Sequence, residues 1–155
     1  VFIYFKRRKP EELEFLKAEL DKRGTRYVIF DYIKRYNEED YLKYLQDSKY
    51  GIILDAHESQ GFAIEEALSC NVPLLVWCAQ TMNQEYGSRY EPIPCTSVPY
   101  WDERCGEIFY KQEECGPKFD EFISKLDTYK PREYVLENLS VEKCAENFKK
   151  LISYI

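Results

Sequence analysis

Two glutamates that flank a glycine near the middle of the chain have the types and spacing to bind a hydroxyl-rich ligand. Glu58 and Glu66 are separated by seven residues, with Gly61 between them, in the pattern E-x-x-G-x-x-x-x-E-A. A carboxylate accepts directional hydrogen bonds and stabilises positive charge that develops in a transition state. Because Glu66 lies about two helical turns beyond Glu58, both side chains can border one cleft.

The residues between these glutamates have the composition of an anion site. Gly61 and Phe62 are expected to open a helix, whose free N–H groups and dipole favour a diphosphate. Glycine also lets a phosphate approach the backbone closely. Ser59 and Gln60 could add hydrogen bonds. No complete G-x-G-x-x-G or P-loop motif is present, which disfavours an NAD or ATP site.

Apolar runs on either side of this motif predict the elements that position it. Residues 51–54 and 74–77 read as strands buried on both faces of a parallel sheet. The helical pattern of residues 62–68 lies between them, which predicts a right-handed βαβ unit. The polar loop 55–61 then follows the carboxyl end of a strand, where ligands of such sheets bind.

Basic residues follow the first predicted strand, residues 1–5, at the same edge of the sheet. Alternation along an extended chain predicts that Lys6 and Arg8 point in one direction, as a phosphate-binding pair. A solvated basic loop is the alternative. His57, the single histidine of the chain, stands beside Glu58 and could contact the ligand or be purely structural.

The remaining pattern predicts an α/β protein. Further strands are expected over residues 27–30 and 95–98, and a short helix or turn that contains Gly106 over 102–110. Helices are expected over 118–126 and, after Ser140 as an N-cap, to about 154. Alternating strands and helices predict an open parallel sheet of about five strands, with helices on both faces and a helical C-terminal tail. Residues 1–155 suit a single domain.

The motif in this setting resembles the signature of GT-B glycosyltransferases, especially the retaining families that use sugar nucleotides. The resemblance covers most of the chain, as the Rossmann-like, C-terminal, donor-binding domain. It implies that Glu58 acts at the donor sugar as the catalytic carboxylate and that Glu66 accepts from two ribose hydroxyls. It also implies diphosphate binding near Gly61 and the basic loop, without a metal or any cofactor beyond the donor.

The implied enzyme is a hexosyl- or pentosyltransferase that moves a sugar from a nucleoside diphosphate sugar to a hydroxyl of a carbohydrate or glycan acceptor. Tyr32, Ile33 and Tyr36 could pack on the nucleobase or serve as plain packing. The N-terminal acceptor domain of such enzymes is not in this chain, so a further domain or a separate subunit is expected. Val1 stands inside a predicted strand, from which we expect a preceding segment.

Other functional classes fit the residues less well than this one. The main alternative is a non-catalytic α/β nucleotide-binding or interaction module. A flavodoxin-like receiver needs an acidic pair after its first strand, where Lys6-Arg7-Arg8 stands. A net charge of −6 disfavours a nucleic-acid partner, and no run approaches a transmembrane segment. The six cysteines form no C-x-x-C pair, so we expect no zinc site and predict reduced thiols in a cytoplasmic protein.

Overall fold

The computed structural model describes residues 1–153, which form an open five-stranded parallel sheet of Rossmann-like type. The strands are β1 Phe2–Lys6, β2 Val28–Asp31, β3 Gly51–Asp55, β4 Leu74–Trp77 and β5 Gly106–Phe109. The helices are α1 Pro10–Lys22, α2 Glu38–Asp47, α3 Phe62–Ser69, α4 Cys115–Ser124, α5 Pro131–Asn138 and α6 Val141–Ile152. This confirms the predicted fold class, including the helical tail.

Two hydrophobic cores lie on opposite faces of the sheet. Because strand residues alternate in direction, Val76 of β4 belongs to one core and Leu75 to the other, and both are fully buried. Helices α2, α3 and α5 cover the first face, whereas α1 and α4 cover the second. Strands buried on both sides explain the continuous apolar runs in the sequence.

The strand order β2-β1-β3-β4-β5 places a topological switch point at the middle of the sheet. From β1 the chain moves outward to β2 and then returns to the other side of β1 as β3. Ligands of doubly wound sheets bind in the crevice outside the carboxyl ends of the two strands at such a point. Lys6 and Asp55 end these two strands and are partners in the β1–β3 register.

The identity of the fifth strand was predicted wrongly. Residues 95–98 are not a strand, and the expected helix or turn over 102–110 is a turn only at residues 103–104, since residues 106–109 form β5, which pairs with β4. Gly106 has a φ of +138°, and a Cβ there would lie 1.9 Å from the carbonyl oxygen of Leu74. The glycine that looked like a turn signal is therefore the residue that lets the chain enter the sheet.

Smaller differences concern the ends of the helices. Helix α4 begins at Cys115, three residues before the expected Lys118, because Pro117 fits the first turn of a helix. Ser140 caps α6 as expected, and its Oγ accepts from the Lys143 amide at 3.2 Å. The expected end of α6 near Tyr154 lies outside the described residues.

Two further observations concern the cysteines and the apolar character of the helices. All six cysteines are free thiols. Among residues 1–153, no helix has both the length and the apolar character that crossing a membrane requires.

Candidate functional site

A pocket of about 250 Å³ opens at the carboxyl edge of the sheet, above the switch point between β1 and β3. Seven of the residues singled out from the sequence line it together: Lys6, Tyr32, Tyr36, Glu58, Gly61, Phe62 and Glu66. The structure therefore brings both glutamates of the motif, its glycine and one residue of the basic loop to a single concave surface.

Helix α3 presents its N-terminus to this pocket. Gly61 is the N-cap in a left-handed conformation, with φ +80° and ψ +47°, and its carbonyl accepts from the amides of Ile64 and Glu65. A glycine adopts this conformation without the steric cost of a Cβ. The side chain of Phe62 is 72% exposed. The first amides of a helix have no partner within the helix, so they are available to an anion.

Glu58 is held against Lys6 in the free protein. The Lys6 ammonium forms an ion pair with the Glu58 carboxylate and lies 4.9 Å from the ring centre of Tyr32. Both side chains of the pair are mostly buried. The Glu58 amide donates to the carbonyl of Thr96 at 3.0 Å, which fixes the loop from the backbone as well.

Asp55 is a pocket residue that the sequence analysis did not single out. Its side chain is 1% exposed, and Oδ1 accepts from the Ala56 amide at 2.7 Å. Burial raises the pKa of Asp55 to about 7, although the nearby Lys6 ammonium opposes the shift. The sequence feature that could have identified Asp55 is its position as a carboxylate at the end of an otherwise apolar strand.

The segment expected to be a strand instead braces the loop that carries Glu58. Ser97 is fully buried, and its Oγ donates to the Ala56 carbonyl at 2.6 Å and accepts from the Ala79 amide at 2.9 Å. These bonds join the carboxyl ends of β3 and β4. Residues 95–98 therefore hold the loop that carries Glu58 in position and do not form a strand of the sheet.

Glu66 faces a second carboxylate across the pocket. Burial, followed by the negative charge of Glu38, raises the pKa of Glu66. Tyr32 and Tyr36 line the same pocket and a neighbouring one of about 440 Å³, which Ile33 also borders. Of the three residues expected near a nucleobase, Tyr32 and Tyr36 therefore lie beside the glutamates, and Ile33 lies next to these tyrosines in the neighbouring pocket.

Arg8 does not reach the pocket, and the expected Lys6–Arg8 pair was wrong. Arg8 is 1% exposed and binds Glu12 through Nε at 3.0 Å and Nη2 at 2.6 Å. Its Nη1 donates to the carbonyls of Asp55 and Trp77 at 3.2 and 3.0 Å. Arg7 between them has a left-handed φ of +52°, which breaks the alternation on which the prediction depended.

Three other expected ligand-binding residues lie outside the pocket lining. The Nδ1 atom of His57 is 3.3 Å from a carboxylate oxygen of Glu85. Gln60 donates to Glu65 at 3.0 Å, and Ser59 is exposed on the loop. The structure therefore gives His57 and Gln60 contacts with protein side chains and leaves Ser59 open to solvent.

The charge of the pocket favours hydroxyl groups over much of its surface. Within the described part of the chain, four carboxylates and one ammonium group line it, the carboxylates being Glu38, Asp55, Glu58 and Glu66. An anion would be attracted chiefly by Lys6 and the α3 N-terminus. Across residues 1–153 no three His, Cys, Asp or Glu side chains are grouped so that they could hold a metal ion.

Comparisons with known proteins returned no match: no protein-family model, curated protein or solved structure is significantly similar to this chain.

Proposed function

We propose that this chain is the donor-binding domain of a glycosyltransferase, which transfers a sugar from a nucleoside diphosphate sugar to a hydroxyl acceptor. The observation that carries the proposal is the joint position of Glu58, Gly61 and Glu66 in one pocket at the switch point of the sheet. The spacing of the motif matches that of GT-B enzymes, and the pocket lies where a doubly wound sheet binds nucleotides.

The nucleoside would occupy the side of the pocket formed by α2, α3 and the loop after β2. Glu66 accepts hydrogen bonds from the ribose hydroxyls, and the rings of Tyr32 and Tyr36 pack on the base. A partly desolvated carboxylate suits this role because hydrogen bonds to a charged acceptor are stronger than those between neutral groups.

The diphosphate would lie against the N-terminus of α3, with Lys6 as its counter-ion, and the sugar next to Glu58. Donor binding then exchanges partners, because Lys6 turns from Glu58 to the phosphates and frees the carboxylate. Glu58 accepts from a sugar hydroxyl and stabilises the oxocarbenium-like charge of the transition state. The motif favours retention of configuration, and the acceptor would be held by a further domain or subunit.

The free cysteines support a reducing compartment, and we place the reaction in the cytoplasm. The acceptor that we propose is a hydroxyl of a carbohydrate or glycan.

Glu66→Ala is expected to weaken nucleoside diphosphate binding by about 10- to 100-fold, since loss of hydrogen bonds to a charged group costs roughly 1.5–3 kcal/mol. Isothermal titration calorimetry with a panel of nucleoside diphosphates measures this. Glu65→Ala is the matched control, because Glu65 is the adjacent carboxylate of α3 but does not line the pocket.

Selective weakening by Glu66→Ala, with Glu65→Ala close to wild type, would support the proposed donor site. Equal losses in the two variants, or no binding of any nucleoside diphosphate by the wild type, would contradict it.

A further inference from the structure

Asp55 is the buried acid of the pocket to which the proposed function gives no role. Its Oδ2 atom is fully buried and has no hydrogen-bond partner among residues 1–153, whereas Oδ1 is satisfied by the Ala56 amide. The residue nevertheless borders the pocket. A buried polar atom without a partner is costly, so an unpaired carboxylate oxygen at a ligand site calls for a functional explanation.

One ammonium group serves two carboxylates here. The Lys6 Nζ atom forms the ion pair with Glu58 and lies 3.9 Å from Asp55 Oδ2. Because Lys6 and Asp55 are register partners of β1 and β3, the backbone keeps their side chains adjacent. The charged or titratable groups that face Asp55 are Tyr4 and Lys6 of β1, Arg7 and Arg8 after it, and Glu58 on the following loop.

A diphosphate in this pocket would change the surroundings of Asp55 in two ways. It would bring negative charge close to the carboxylate, and it would draw the Lys6 ammonium towards the phosphates. Both changes favour the neutral form of a buried acid. The Arg8 guanidinium cannot compensate, because its donors are engaged by Glu12 and by two backbone carbonyls.

We propose that Asp55 takes up one proton from solvent when a diphosphate ligand draws Lys6 towards its phosphates, so that binding at this pocket is coupled to protonation. The proton adds to the carboxylate and no other bond changes. This inference rests on the proposed function, because it requires an anionic donor in the pocket.

The sign of the pH dependence follows from the free protein. The pKa of Asp55 is raised to about 7 by burial, so the free carboxyl group already carries its proton below that pH and has lost it above. Ligand affinity should therefore be nearly constant below about pH 7 and fall by up to about tenfold per pH unit above it. The fall ends where proton uptake no longer accompanies binding.

Calorimetry tests this with a nucleoside diphosphate sugar as the probe, chosen as the tightest binder of a panel. Its diphosphate is esterified at both ends, so the ligand itself does not titrate in the neutral range. Titrations at a mildly alkaline pH, in two buffers that differ in ionisation enthalpy, count the protons taken up. The wild type should take up close to one proton, and Asp55→Asn should take up none and bind with a flat pH profile.

Two control variants test whether a distant carboxylate or the imidazole contributes to the proton uptake. Asp127→Asn removes an exposed carboxylate that lies far from the pocket, and His57→Gln removes the single imidazole. Both should keep the proton uptake of the wild type. Asparagine at position 55 preserves an oxygen that can accept from the Ala56 amide, which makes this variant close in shape.

Binding by the wild type without proton uptake, or equal uptake by Asp55→Asn, would overturn this inference alone. Absence of binding by any nucleotide sugar would overturn the proposed function with it. If Asp55→Asn does not fold, carboxyl ¹³C NMR of the wild type decides the question: a ligand-induced rise in the Asp55 pKa supports the coupling, and an unchanged pKa overturns it.

Discussion

Gly106→Ala is expected to lower the free energy of unfolding by at least about 3 kcal/mol, because the substitution combines overpacking with a forbidden backbone conformation. A Cβ at this position would lie 1.9 Å from the Leu74 carbonyl oxygen and 2.8 Å from two further backbone atoms of Leu74. Backbone atoms of a central strand cannot move aside as a flexible side chain can. The φ of +138° adds strain for any residue with a Cβ.

Urea denaturation of the wild type and the variant measures this loss. Gly24→Ala is the matched control, since Gly24 also has a positive φ, +64°, but a Cβ there meets no atom within 4 Å. The control should cost only about 1–2 kcal/mol, the usual penalty of a left-handed residue. Equal losses at the two positions would contradict the claim that the close approach of Gly106 to the Leu74 backbone makes Gly106→Ala strongly destabilising.

Arg8→Met is expected to cost about 3–5 kcal/mol, the range found when one partner of a buried ion pair is removed. The guanidinium is 1% exposed and binds both carboxylate oxygens of Glu12. It also donates to the carbonyls of Asp55 and Trp77, which join the ends of β3 and β4. Methionine fills much of the space but removes all four of these hydrogen bonds, although the Asp55 carbonyl still accepts from Ser97 Oγ and Glu12 still accepts from the Lys9 amide.

The control for Arg8→Met is Lys17→Met, which breaks the exposed Lys17–Glu14 pair of α1 and should leave stability close to that of the wild type. Glu12→Gln in the Arg8→Met background should recover part of the loss, because it removes the unpaired charge. A similar, small effect of Arg8→Met and Lys17→Met would mean that Arg8 does not hold the sheet edge together.

The parts of the fold that could be predicted are those whose local sequence pattern matches their burial in the folded protein. Strands β1, β3 and β4 are short apolar runs buried on both faces, so their pattern is recognisable from the local sequence alone. Strand β5 was missed because Gly106 is required by its close approach to Leu74, a contact between distant parts of the chain. No local pattern records such a contact.

In the candidate site, too, local features could be predicted from the sequence and contacts between distant parts of the chain could not. The spacing of Glu58 and Glu66 placed both on one pocket, because a loop and the helix after it form a local unit. The predicted direction of the Arg8 side chain was wrong because the positive φ of Arg7 interrupts the alternation of side chains along an extended chain. Asp55 was missed because its importance depends on how Lys6 is shared, which only the pairing of β1 with β3 determines.

The central claim is that a nucleoside diphosphate binds over the switch point between β1 and β3. Amide ¹H–¹⁵N NMR of the 18.6 kDa chain, titrated with a nucleoside diphosphate, locates the site directly. The account predicts that the largest shifts fall at Lys6, Tyr32, Gly61 and Phe62, with little change on the far side of the sheet around residues 123–130. Shifts centred elsewhere, or no shifts with any nucleoside diphosphate, would contradict the claim.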